Sequence, residues 1–231
     1  MTRRRFPVGK TLLYVFMSLW ALTTIYPFIW VILNSFKPRG LIRSDTFSLP
    51  IGDKFTLENY VTAFKRVDIG TAYVNSIVIS GAVTVVVMVL AGLAAYAMVR
   101  YSFRLRGFLH SMIIASMMFP VFSTIIPVFR MESSWGIVNT GSIWLTRLSV
   151  VLPQIAGNLS FAIIVLMGFI RSLPVDLEEA AYLEGYNVYQ IFFRIIMPLA
   201  KPSFATVGIF TFLWSYNDLF LQMFFLRSKK F

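Results

Sequence analysis

Long apolar runs separated by shorter polar segments dominate the chain. A helix that crosses the hydrocarbon core of a bilayer needs about 20 such residues. Five runs satisfy this length, at approximately residues 11–33, 72–99, 108–129, 148–170 and 203–226. The pattern predicts an all-α, polytopic transmembrane bundle of five spans, formed by residues 11–231 as a single domain.

Basic residues predict how these spans are oriented. Residues 1–10 carry an Arg/Lys cluster, and the short segment 100–106 is basic and free of acids. Cytoplasmic loops are enriched in Lys and Arg, so both segments are expected on the cytoplasmic side. Five spans then place loop 34–70 outside, with a short surface helix expected over residues 57–66, and segment 171–202 inside.

The segment 171–202 is a polar, acid-led insert between two apolar runs. Asp176 is expected to be the N-cap of a first short helix, with Glu179 completing a capping box. Gly185 is expected to end that helix, because glycine tolerates the left-handed backbone conformation that follows many helices. The pattern predicts a helix that stops at a glycine corner.

A second short helix is predicted directly after the corner. Asn187 and Gln190 repeat the capping-box spacing, and Pro198 and Pro202 are expected to end the helix. Its predicted apolar stripe comprises Ile191, Phe192, Ile195 and Ile196. Helices this short rarely hold in water without packing, so the pair must dock onto another surface.

These residues carry a family resemblance. Glu179-Ala180-Ala181, Gly185, Ile195, Pro198-Leu199 and Pro202 resemble the EAA loop of the inner-membrane permease subunits of binding-protein-dependent ABC importers. Glu184 is a departure, since the family usually has Asp there. Segments 214–218 and 55–60 resemble the carbohydrate-uptake branch, in particular the second permease of maltose-type and glycerol-phosphate-type importers.

The resemblance implies a function and a set of partners. It implies a pore-forming subunit in the bacterial inner membrane that couples to a cytoplasmic ATPase through Glu179, Ala180, Ala181, Gly185, Ile195 and Pro198. The implied partners are a second homologous permease, two nucleotide-binding ATPase subunits and an extracytoplasmic substrate-binding protein. Such permeases generally have six spans, so we expect this chain to be short by about one helix and its loop, with a natural five-span variant as the alternative.

Composition agrees with a membrane protein and disfavours other classes. The chain is 58% hydrophobic with a mean hydropathy of +0.74 and only 13% charged residues, whereas soluble domains average about 25% charged. The net charge of +11 is spread over short loops, which disfavours nucleic-acid binding. The absence of cysteine disfavours a thiolate metal site, and the one histidine, His110, is interpreted as an interfacial residue.

No catalytic constellation is apparent. The chain has no Walker motif, so ATP and Mg²⁺ are expected on a partner ATPase, with no cofactor or metal in this chain. It also lacks an HExxH motif and paired carboxylates within the spans. The sequence therefore predicts a translocation subunit and not an enzyme.

Polar residues within the spans are candidates for the substrate pathway. Asp218 is the only carboxylate within a predicted span, and such a costly residue is expected to face protein or water. Sugars bind through aromatic stacking and neutral hydrogen-bonding groups, which makes candidates of Asn75, Asn158, Trp214, Asn217 and Asp218. As the alternative, each asparagine bonds a neighbouring helix, worth about 0.6 kcal/mol, and Asp218 is structural.

Two questions stay open at this level. A membrane scaffold or signalling protein that docks a cytoplasmic partner through the same Glu179–Pro202 loop is the alternative function. The sequence also leaves the transported sugar unidentified, because specificity in such importers resides largely in the binding protein and in the partner permease.

Overall fold

The computed structural model describes residues 8–138 and 140–226, with Val121 described by its backbone alone. Most of the predicted cytoplasmic N-terminus, residues 1–7, lies outside the described residues, as do Asn139 and residues 227–231. The chain divides into two compact units, Met1–Ile69 and Gly70–Phe231. Every regular element in the described ranges is helical, which confirms the predicted all-α class.

The first unit is one long apolar helix followed by a folded loop. Helix α1 spans Val8–Ser35, and the loop contains α2 (Arg39–Ser44), a 3₁₀ turn (Gly52–Lys54) and α3 (Glu58–Arg66). The loop is compact because Asn59 donates hydrogen bonds to the carbonyls of Ser35 (3.0 Å) and Lys37 (2.7 Å). The short helix predicted at residues 57–66 is confirmed.

The second unit contains the remaining helices. In chain order they are α4 (Ile69–Arg100), α5 (Arg106–Ser116), α6 (Val121–Ser134), α7 (Ile143–Ser172), α8 (Asp176–Leu183), α9 (Val188–Ile191), α10 (Met197–Leu199), α11 (Lys201–Tyr216) and α12 (Leu219–Phe225). A π-helical turn, Phe192–Ile196, joins α9 to α10. Helix α7 packs against α11, and α12 packs against both α6 and α7.

Three helices in the described ranges are individually long and apolar enough to cross a membrane, namely α1, α4 and α7. The predicted third span is instead two helices, because α5 ends before Pro120 and α6 begins after it. Pro127 lies inside α6 without ending it. The predicted fifth span is likewise divided, at Asn217 and Asp218. The count of five spans stays a prediction.

Helix α4 lies closest to neighbouring aromatic side chains at Gly92. A Cβ added at Gly92 would lie 2.8 Å from Cζ of Phe204 and 3.0 Å from Cζ of Phe192. A Cβ added at Gly81 would meet nothing within 4 Å. Gly92 therefore permits the close approach of α4 to two aromatic rings, whereas Gly81 serves no such contact.

Candidate functional site: the hairpin at residues 171–202

The first helix of the hairpin, α8, starts differently from the prediction. Val175 already has helical dihedral angles (φ −72°, ψ −27°), and its carbonyl accepts from the amides of Glu178 (2.8 Å) and Glu179 (3.1 Å). Asp176 is consequently the first helical residue, and no side chain caps the helix. The predicted Asp176–Glu179 capping box is wrong, although the acids still favour the positive end of the helix dipole.

Gly185 ends α8 as predicted. Its φ is +85°, in the left-handed region. Its amide donates to the carbonyl of Tyr182 (3.0 Å), and the amide of Tyr186 donates to the carbonyl of Ala181 (3.0 Å). This pair of bonds is a Schellman motif, which satisfies the last carbonyls of the helix and turns the chain.

The second helical stretch begins with the predicted capping box. The side chain of Asn187 accepts from the amide of Gln190, and the side chain of Gln190 accepts from the amide of Asn187, both at 2.9 Å. The stretch ends between Pro198 and Pro202 as predicted, since α10 ends at Leu199. The chain then bends by 81° into α11, with Ala200 fully buried at the bend.

The six predicted coupling residues do not share one environment. Ala181 is buried and Ile195 is half-buried, so these two fix the hairpin to the rest of the unit. The other four are exposed, namely Glu179, Ala180, Gly185 and Pro198. The structure therefore gives the hairpin an anchored side and an open side.

The anchor of α8 is a polar cluster that sequence reasoning missed. Glu178 is 4% exposed, and its carboxylate accepts from the Tyr96 hydroxyl (2.8 Å) and from Nε of Arg100 (2.5 Å). Arg100 Nη2 also donates to the carbonyl of Leu173 (2.9 Å). We call Tyr96, Arg100 and Glu178 the α4–α8 clamp.

The sequence indicates that Glu178 needs a partner but does not identify it. Glu178 lies three residues before Ala181, so the two share a helix face, and a carboxylate on a buried face requires a cationic or hydrogen-bonding partner. The partner cannot be identified from spacing, because Arg100 lies 78 residues earlier. From the sequence alone, Arg100 is part of the basic segment 100–106 that indicates orientation.

Aromatic contacts extend the clamp on both sides. The Tyr96 and Phe192 rings lie 5.6 Å apart between centroids, which ties the clamp to the π-helical turn. The hydroxyls of Tyr101 and Tyr182 lie 2.8 Å apart. This hydrogen bond raises the pKa of the Tyr182 phenol. The end of α4 thus holds both helices of the hairpin.

Asp218 belongs to a second polar cluster, at the far end of α11. One carboxylate oxygen caps α12 by accepting from the amide of Leu221 (3.0 Å), and the other accepts from the Gln154 amide (3.4 Å). The Gln154 side chain in turn accepts from the Ser215 hydroxyl. We call Gln154, Ser215 and Asp218 the α7–α11 cluster, and its presence explains why the apolar run is interrupted there.

Three of the other substrate-pathway candidates adjoin the α7–α11 cluster, since Asn217 precedes Asp218, Trp214 precedes Ser215, and Asn158 bonds the main chain of Gln154. The Asn158 and Asn217 side chains each donate to a carbonyl four residues earlier in the chain, at 2.8 Å. Trp214 packs edge-to-face on Phe161, with centroids 4.8 Å apart.

Asn75 lies in a different environment. It is buried, and its side-chain oxygen, Oδ1, accepts from Nη2 of Arg147 (2.6 Å). In the described part of the chain, no direct contact joins all five candidates, and their role in transport stays a prediction.

The chain is similar to known membrane transport proteins over nearly its whole length. A family model described as "Binding-protein-dependent transport system inner membrane component" matches residues 88–230. A diacetylchitobiose uptake system permease from Streptomyces coelicolor is 35% identical, over 91% of this chain and 67% of that protein. A trehalose transport system permease from Mycobacterium tuberculosis is 33% identical, over 89% of this chain and 72% of that protein.

Two further similarities point the same way. A melibiose/raffinose/stachyose import permease from Bacillus subtilis is 30% identical, over 88% of this chain and 71% of that protein. The fold resembles a chain in the crystal structure of a bacterial ABC transporter involved in the import of the acidic polysaccharide alginate. The TM-score is 0.82 and the identity 23%, over all of this chain and 78% of that one.

Proposed function

The chain belongs to the family of binding-protein-dependent transport system inner membrane components, and on that premise we propose that its hairpin, residues 171–202, couples transport to a separate cytoplasmic ATPase. The family is made of translocation subunits. The ATP and Mg²⁺ that drive transport are bound by the ATPase in this proposal. In this proposal the N-terminus is cytoplasmic. The four predicted spans that follow it return the chain to the cytoplasmic side, where the hairpin meets the ATPase.

The substrate class that we propose is a sugar or an oligosaccharide. The similar proteins from Streptomyces coelicolor, Mycobacterium tuberculosis and Bacillus subtilis are named for diacetylchitobiose, for trehalose and for melibiose, raffinose and stachyose. These sugars differ in size and linkage. Their common feature is a carbohydrate, so the names support the class and not one particular sugar.

The observation that carries the coupling proposal is the two-sided environment of α8. Glu178 and Ala181 are buried on one side, whereas Glu179 and Leu183 are exposed on the other, Leu183 by 91%. The hairpin also exposes large apolar side chains at Tyr182, Leu183, Tyr189 and Phe193. An acid-led helix with an exposed apolar end suits a protein partner better than anionic lipid, which favours basic amphipathic helices.

The α4–α8 clamp determines which helices move when a partner displaces the exposed side of α8. Because Glu178 is bonded to Tyr96 and Arg100, α8 cannot be displaced without displacing the end of α4 or breaking a buried ion pair. The second stretch of the hairpin continues into α11 through Ala200. We infer that closure of two ATPase subunits moves α4 and α11 together.

A complete importer requires further subunits. We propose a second homologous permease, two cytoplasmic ATPase subunits and an extracytoplasmic substrate-binding protein as partners. Co-purification with a homologous permease and an ATPase supports this assignment. Isolation with an unrelated cytoplasmic protein and no ATPase supports the scaffold alternative.

The coupling proposal is tested by reversing the charge of Glu179. Because Glu179 is exposed and its side chain has no hydrogen bond or ion pair among the described residues, Glu179→Lys should leave membrane insertion intact while abolishing uptake and binding-protein-stimulated ATPase activity. Glu58→Lys is a matched charge reversal on exposed helix α3. Coupled ATPase activity that survives in Glu179→Lys and equals that of Glu58→Lys contradicts the coupling role.

A further inference from the structure

A small cavity lies at the hairpin end of the second unit, between the ends of three helices. Its volume is about 210 Å³. It is lined by the last turns of α4 and α7 and by the first turns of α5, through Met98, Arg106, Gly107, His110, Met167 and Arg171. It shares Arg171 with the start of the hairpin, but none of the six predicted coupling residues lines it.

Three of the six lining residues carry basic side chains, and the surface of the cavity itself is almost entirely apolar. Arg106 and His110 are four residues apart on α5 and so share a face, and Arg171 reaches the cavity from α7. Within residues 8–138 and 140–226, none of the three has a salt bridge or a side-chain hydrogen bond. Arg100, by contrast, has Glu178. An apolar cavity is thus bordered by three basic residues that have no ion-pair partner among the described residues.

A bound anion would reduce the electrostatic repulsion between these basic side chains. Two guanidinium groups near one space repel each other, and an anion between them replaces repulsion with attraction. Guanidinium groups match the geometry of phosphate oxygens and bind them in a bidentate manner. The imidazole of His110 can donate a hydrogen bond in either protonation state. The donor set is therefore suited to a phosphate group.

The position and the floor of the cavity favour one source of phosphate. Met98 and Met167 are buried and provide an apolar floor. The cavity lies where α4 and α7, two helices long enough to span a membrane, reach their ends. Such ends lie at the level of lipid headgroups, where basic pockets between helices bind acidic phospholipids. The volume is below the roughly 300 Å³ of sites for drug-sized ligands, so a nucleotide does not fit.

We propose that Arg106, His110 and Arg171 form a binding site for a phosphate-bearing anion, supplied by the headgroup of an acidic phospholipid. This inference depends on the membrane assignment alone. It is independent of the coupling role of the hairpin, since none of the three residues belongs to the exposed side of α8.

The proposal is tested with the importer complex purified in neutral detergent. Quenching of protein fluorescence by pyrene-labelled phosphatidylglycerol measures affinity, and phosphatidylcholine with the same label is the lipid control. Near a membrane surface each basic residue contributes about fivefold to the binding of acidic lipid. Arg171→Gln should therefore weaken phosphatidylglycerol binding about fivefold, and Arg106→Gln/Arg171→Gln roughly 25-fold.

A matched control removes the same charge from the same side of the unit. Arg104 and Lys201 are exposed and do not line the cavity, so Arg104→Gln/Lys201→Gln should keep its affinity within about twofold. The proposed site is contradicted if both double variants lose the same affinity for phosphatidylglycerol. It is also contradicted if phosphatidylcholine binds as tightly as phosphatidylglycerol. If the double site variant does not assemble, the Arg171→Gln variant, altered at an exposed side chain, decides the outcome.

Inorganic phosphate distinguishes the two sources of the anion. Displacement of the labelled lipid only at phosphate concentrations far above that of the lipid supports a lipid headgroup. Saturable phosphate binding that Arg106→Gln/Arg171→Gln abolishes, without any preference for phosphatidylglycerol, assigns the same residues to free phosphate and overturns the lipid source.

Discussion

The α4–α8 clamp and the α7–α11 cluster both hold a carboxylate inside the second unit, and they do so differently. Glu178 is paired with the guanidinium of Arg100 at 2.5 Å. Asp218 is bonded by neutral donors only, the amides of Leu221 (3.0 Å) and Gln154 (3.4 Å), among the residues that the structure describes. A charge-paired carboxylate fixes two helices to each other, whereas one with long neutral contacts can exchange partners at lower cost.

The largest effect is expected from breaking the clamp. Arg100→Gln leaves Glu178 buried without its cation, which costs about 3–5 kcal/mol in stability. The double variant Arg100→Gln/Glu178→Gln removes both charges and should recover most of this loss. Thermal unfolding midpoints of the purified complex compare the two. Equal destabilisation of the single and double variants would mean that the ion pair itself is not what holds α8.

The second largest effect is expected where aromatic packing supports the clamp. Gly92→Ala inserts a methyl group within 3.0 Å of the Phe204 and Phe192 rings, and such overpacking costs about 1–3 kcal/mol. Gly81→Ala is the matched control on the same helix, since the added methyl group meets nothing within 4 Å. The unfolding midpoint should fall for Gly92→Ala alone. A comparable fall for both variants would assign the loss to the backbone of α4 and not to packing.

A smaller effect is expected at the corner of the hairpin. An added side chain at Gly185 meets no atom within 4 Å, so only its φ of +85° opposes substitution. Gly185→Val should cost about 1–2 kcal/mol locally and reduce uptake, because β-branched residues avoid this conformation. Gly185→Asn should retain most uptake, since asparagine tolerates it. Initial uptake rates separate these outcomes, and equal loss in both variants would indicate a steric role at the partner surface.

The smallest effect on stability is expected at Asp218. Asparagine caps helices about as well as aspartate, so Asp218→Asn should change stability by less than about 0.5 kcal/mol. If the charge functions in transport, uptake falls while the assembled complex is recovered in normal yield. Loss of assembly would instead make Asp218 a structural residue like Glu178. Uptake and yield of the complex, measured on the same membranes, decide between the two.

The sequence predicts local features of the hairpin better than its contacts. The Asn187–Gln190 box and the Gly185 corner are confirmed, because each depends on residues within a few positions of one another. The Asp176 cap is wrong, since the dihedral angles of Val175 decide where the helix begins. The clamp was missed because its partners, Glu178 and Arg100, are brought together only by the packing of α8 against the end of α4.

The helix breaks show a similar limit. Pro120 lies in the interruption of the third apolar run, where its missing amide donor is tolerated at the start of α6. Pro198 and Pro202 flank the end of their helix at Leu199, because a residue without an amide donor cannot continue the helical hydrogen-bond pattern. The break at Asn217 and Asp218 follows from the capping of α12 by Asp218, which hydropathy alone does not indicate.

The 81° bend at Ala200 makes residues 188–216 an L-shaped lever. At about 1.5 Å per residue, the short arm is roughly 18 Å long and α11 roughly 24 Å. A rigid turn about buried Ala200 carries the tip of α11 about 1.3 times as far as the hairpin moves, in a direction almost perpendicular to that of the hairpin. The long arm ends at the α7–α11 cluster, so under the coupling proposal a small displacement at the hairpin reaches Asp218, a carboxylate that is held by neutral donors.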